Sequence, residues 1–84
     1  ELFSAMQDYQ DTSRRIKLYE SQRSLAARSL DLLLKDFSAS ASSLTDVLRL
    51  RQQIYEYELK LIEARADLNI ASARITRLLA SSKK

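Results

Sequence analysis

The chain has 84 residues, 45% of them hydrophobic and 30% charged, with a formal net charge of +3. It contains no Gly, Pro, Cys or His, which excludes Gly-rich phosphate loops, disulfides, His/Cys zinc sites and the usual nucleophile–base pairs, and leaves only a carboxylate-only metal site open. A chain this short builds a small core, and its basic and acidic residues are mixed without a block of five alike, so the electrostatic footprint of a nucleic-acid binder is missing.

The first predicted element is a helix over about 2–37. Leu2, Tyr9, Ile16, Leu30 and Phe37 recur at one heptad position, interrupted by Arg23. Ala5, Thr12, Tyr19, Ala26 and Leu33 follow three residues on. Two such rows make an a/d-like seam. Leu18, Leu25 and Leu32 add a third row, which widens the apolar arc. Arg23 at a seam position reads as a snorkelling side chain or a register pin.

The chain then breaks. Residues 38–43 read Ser-Ala-Ser-Ala-Ser-Ser, and their hydroxyls compete with the helix for backbone partners. Ser43 stands three residues before Asp46, the spacing of a capping box. The serine would accept from a free N–H of the new helix, and the aspartate would suit its positive end.

The second predicted helix covers about 44–81. Val47, Ile54, Leu61, Leu68 and Ile75 recur every seven residues without a break, and Leu50, Tyr57, Ala64, Ala71 and Leu78 follow. A strict seven-residue repeat implies left-handed supercoiling. Leu48, Tyr55 and Ile62 form a flanking row that fades at Asn69.

The fold class expected is therefore all-α, an antiparallel helical hairpin spanning residues 1–84, with arms of roughly 50 Å. Each arm carries a wider apolar arc than a two-stranded seam needs. Either the hairpin dimerises into a four-helix bundle, or each helix packs between two neighbours in a larger α-helical barrel. Asp11–Arg15, Asp31–Lys35 and Glu56–Lys60 have the i,i+4 spacing and orientation of helix-surface ion pairs. Tyr9, Tyr19, Tyr55 and Tyr57 are expected in seams or grooves. The longest aliphatic run, Leu32–Leu34, is far short of the ~20 apolar residues a membrane-spanning helix needs. The start at Glu1-Leu2-Phe3, without an initiator Met, is expected of a piece of a longer protein.

The stretch from Phe37 to Leu48 resembles the outer-membrane efflux protein family, the TolC-like channels of drug and metal export. An aromatic, a small-residue segment and then Leu44-Thr45-Asp46-Val47-Leu48 follow that family's order. The helix beyond it, with Tyr57, Glu63-Ala64-Arg65, Leu68, Ala71, Ala73 and Leu78, is similar in flavour. The resemblance covers roughly residues 30–80. It implies one coiled-coil hairpin of a periplasmic helical barrel, with its turn at the tip where the channel closes and meets an adaptor (membrane fusion) protein. It also implies a homotrimeric parent with a membrane β-barrel elsewhere, no cofactor and no catalysis.

Carried over position by position, the resemblance makes Ser38, Ala39, Ser40, Ala41, Ser42, Ser43 and Leu44 the adaptor-docking tip, with Leu44 as apolar anchor. Phe37, Asp46 and Arg49 become the pore-lining or gating positions. Arg49 stands where the family can have a second acidic residue, and Phe37 lacks the hydroxyl of the family's tyrosine. Ser40 replaces the usual tip glycine, and Ser42 replaces a basic residue. Asp46 is thus expected as a pore carboxylate or as a plain helix cap, and the tip as a docking surface or as a solvent loop. The competing functional reading is a coiled-coil scaffold or adaptor hairpin that joins protein partners.

Overall fold

The computed structural model describes residues 1–37 and 40–82, the side chain of Ser82 excepted. Two helices account for nearly all of them: α1, Leu2–Lys35, of 34 residues, and α2, Ala41–Ser82, of 42 residues. They lie antiparallel in a rod of 67 × 14 × 14 Å. The long dimension is what 42 residues at 1.5 Å each require, and the other two leave room for one helix pair.

The heptad rows form the seam. Ala5, Thr12, Ala26 and Leu30 of α1 and Val47, Leu61, Ala64 and Ala71 of α2 are buried. Ile16, Tyr19, Leu33, Leu50, Ile54, Tyr57, Leu68, Ile75 and Leu78 are half-buried beside them. Four of the eight buried residues are alanines, so the helices approach closely and the core is thin. Thr12 is the one buried polar residue described, and Arg15 donates to its Oγ1 at 3.0 Å. Arg23 reaches outward and is exposed, as a long basic side chain at a seam position does by snorkelling.

Two ion pairs bridge the helices and mark the two faces of the pair. Arg74 meets Asp8 at 3.3 Å and Arg65 meets Glu20 at 3.9 Å. Asp8 and Arg74 each precede a first-row seam residue by one, whereas Glu20 and Arg65 each follow one by four. These are the like-with-like flanking positions of an antiparallel coiled coil, on opposite sides of its seam.

None of the three expected i,i+4 pairs is among the ion pairs of the described residues. Asp11 pairs with Arg14 one turn on, and Arg15 turns to Thr12. Lys60 lies over the rings of Tyr19 and Tyr57, 5.7 and 5.9 Å from their centroids. Two half-buried ring faces, one across the seam and one on the same helix, compete well with an exposed carboxylate.

Candidate functional site

The break lies nearer the start of the chain than expected: α1 ends at Lys35, two residues before 37, and α2 begins at Ala41, three residues before 44. Ser40 is the residue that starts it. Its carbonyl accepts from the Leu44 N–H at 3.1 Å, and its Oγ accepts from the Ser43 N–H at 3.2 Å. That is the geometry of a helix N-cap. The expected Ser43–Asp46 capping box does not form, since the Ser43 N–H is already given to Ser40. The Ser40 hydroxyl in turn donates to Ser43 Oγ at 3.0 Å.

α1 ends without a glycine. The Asp36 N–H donates to the Leu32 carbonyl and the Phe37 N–H to the Leu34 carbonyl, both at 3.4 Å. The second bond tightens the last turn to an i,i+3 closure. Among the described residues no non-glycine has positive φ, so Ser40 stands at the tip without the left-handed backbone a glycine would supply. Ser38 and Ala39 of the expected docking tip lie outside the described residues.

Of the other expected site residues, Ala41, Ser42, Ser43 and Leu44 form the first turn of α2. Leu44 is 51% exposed at the end of the rod. Phe37 is 43% exposed just beyond α1. Asp46 and Arg49 lie one turn further along α2 and meet each other at 3.6 Å, both side chains exposed. The structure thus gathers Phe37, Ser40 and Leu44 at one end and sets Asp46 and Arg49 beside them as a neutral pair.

A second feature was legible only in part. The rows beyond the seam stay uncovered: Leu18, Leu25 and Leu32 are 52–64% exposed, and Leu48, Tyr55 and Ile62 are 58–66% exposed. They point to opposite faces. Leu25 opens onto a groove with Gln22, Ser29 and Gln53, on the Asp8–Arg74 side. Ile62 opens onto a groove with Glu58 and Arg65, on the other side. The signal lies in the offsets, since the α1 row stands two positions past the first seam row and the α2 row one position past it.

This placement disfavours face-to-face pairing into a four-helix bundle. Beside the leucine row of α1, α2 presents Arg49, Glu56, Glu63, Ile70 and Arg77. Beside the apolar row of α2, α1 presents Phe3, Gln10, Lys17, Ser24 and Asp31. Neither face is apolar across both helices, so each helix is fitted for its own neighbour.

The inter-helix grooves are open and shallow. One of them, about 470 Å³, is lined by Asp8, Asp11, Arg15, Asp67 and Arg74 among others, charges of both signs. Among the described residues no group of His, Cys, Asp or Glu could hold a metal ion, and no helix is long and apolar enough to cross a membrane. Comparison with protein-family models, curated proteins and solved structures finds no match to this chain.

Proposed function

We propose that this hairpin is an assembly element without catalytic work of its own, and that it is the periplasmic tip hairpin of a TolC-like outer-membrane efflux channel. The observation that carries the assembly reading is the pair of exposed apolar rows on opposite faces, Leu18/Leu25/Leu32 and Leu48/Tyr55/Ile62. Each buried leucine contributes about 1.5–3 kcal/mol, so a neighbour on each side of the hairpin stabilises it strongly. A helix held between two neighbours is the unit of a barrel wall. The channel reading rests further on the resemblance of residues 37–48, and with it come the periplasmic location, the trimeric parent and the adaptor partner.

The tip supports docking. Ser40, Ala41 and Ser42 have small, exposed side chains that let a partner backbone approach, and Leu44 stands out as an apolar anchor. The test is titration of the chain with an isolated adaptor hairpin tip. Leu44→Asp and Ser42→Trp are each expected to weaken binding about tenfold, equal to about 1.4 kcal/mol. Unchanged affinity in both variants removes the docking role.

The Asp46–Arg49 pair at 3.6 Å favours a second reading. A carboxylate neutralised by its own neighbour is poorly suited to a charged pore ring. A scaffold or adaptor hairpin joining protein partners needs no such ring and uses the same outer rows.

A further inference from the structure

We propose that the 84-residue chain, by itself in solution, pairs with a second copy through the outer stripe of α2, the two α2 helices running antiparallel. The inference goes beyond the channel reading and does not depend on it, because a barrel wall draws its neighbouring helices from a larger parent.

The stripe is a second seam. Leu48, Gln52, Tyr55, Leu59, Ile62 and Ala66 are spaced four, three, four, three and four residues apart along one continuous helix, the spacing of a coiled-coil seam. All six are exposed, and the four large apolar ones are 56–66% exposed. An apolar seam of this length left open on a soluble rod marks an interaction surface.

The charges beside the stripe say what covers it. One flanking row carries Arg51, Glu58 and Arg65, and the other carries Arg49, Glu56 and Glu63. In both rows an arginine stands nearer the tip than the glutamates, and in the first row Arg65 follows beyond Glu58. Two such helices laid antiparallel exchange arginine for glutamate on both sides at once. In the register that sets Leu48 against Leu59 of the second copy, Tyr55 meets Gln52, Arg51 faces Glu58 and Arg49 faces Glu63, each contact made twice by the two-fold symmetry. These offsets match the ones seen inside the hairpin, where Asp8 meets Arg74 on one side of the seam and Glu20 meets Arg65 on the other. The two Glu56 side chains meet unfavourably near the axis, and towards the ends of the pairing Ile62 meets Thr45, Ala66 meets Ala41 and Arg65 lies beside Leu44 of the second copy.

A copy pointing the same way fits worse. The leucine row of α1 would meet the apolar row of α2 at matching heights, but Arg14 would then lie beside Arg65 and Arg28 beside Arg51. Like charges held together across an interface disfavour that arrangement.

The test uses the absence of cysteine from the chain. Leu48→Cys and Leu59→Cys chains are made separately, mixed and mildly oxidised. The mixture is expected to form disulfide-linked dimers, while neither variant cross-links alone, because the antiparallel register sets position 48 against 59 and separates like positions by about three turns. In sedimentation, Glu58→Arg is expected to weaken the dimer about tenfold, and adding Arg51→Glu in the same chain to restore it. A chain that stays monomeric at millimolar concentration overturns the proposal. So does cross-linking of either variant with itself, or a double reversal that fails to restore pairing.

Discussion

The Ser43 N–H donates to Ser40 Oγ at 3.2 Å, and this contact sets where the second helix begins. It satisfies one of the four N–H groups that a helix start leaves without intrahelical partners. Ser40→Ala removes the acceptor and is expected to cost about 1 kcal/mol of helix-hairpin stability, read as a lower thermal midpoint by circular dichroism. Ser42→Ala, on the exposed side of the same turn, is expected to stay within about 0.5 kcal/mol of the parent. Equal losses at the two positions would show that the cap contributes nothing.

The seam is built on alanine at its closest points. Ala64 is 4% exposed against α1, while Ala66, two residues on, faces outward. Ala64→Leu has no space to fill and is expected to destabilise the hairpin by about 1–3 kcal/mol. Ala66→Leu, measured at concentrations where the chain is monomeric, is expected to change stability by less than about 0.5 kcal/mol. Denaturant unfolding of the two variants side by side decides this.

Asp8 and Arg74 join the free end of α1 to the far part of α2, with side chains 59% and 39% exposed. Exposure and solvent screening hold such a pair to about 0.2–1 kcal/mol. A double-mutant cycle with Asp8→Asn and Arg74→Gln is expected to return a coupling in that range at low salt. The coupling should vanish near 1 M salt, where the screening length falls to about 3 Å. A coupling that survives high salt would mean the pair is far better shielded than its exposure indicates.

Most of the fold was legible because Val47, Ile54, Leu61, Leu68 and Ile75 repeat without a break, and a seam of that regularity leaves the helix little choice of face. The helix start was misplaced by three residues because two serines compete. Ser43 has the acidic residue of a capping box at the right spacing, but its N–H goes to Ser40 Oγ, whose hydroxyl donates to Ser43 Oγ, so Ser43 is the third residue of the helix and Ser40 its cap. The expected surface ion pairs do not form where their cations find other partners, Arg15 at the Thr12 hydroxyl and Lys60 over the rings of Tyr19 and Tyr57. The two pairs that cross between the helices, Arg65 with Glu20 and Arg74 with Asp8, depend on the antiparallel register and not on spacing along one helix. That the outer rows face opposite ways follows from their offsets to the seam, yet it becomes visible only when the antiparallel pairing fixes which flank is which.

Two adjacent residues separate what holds the hairpin together from what the hairpin offers to others: Leu61 is 3% exposed and Ile62 is 64% exposed. The decisive measurement is helicity and self-association, on the same samples, of Leu61→Ala and Ile62→Ala. Leu61→Ala is expected to lose about 2–4 kcal/mol and with it much of the helical signal. Ile62→Ala is expected to keep the dilute-solution melting curve within about 0.5 kcal/mol and to weaken association severalfold. If the two variants melt alike, or if Ile62→Ala associates as strongly as the parent, the outer rows are not the surface by which this chain assembles.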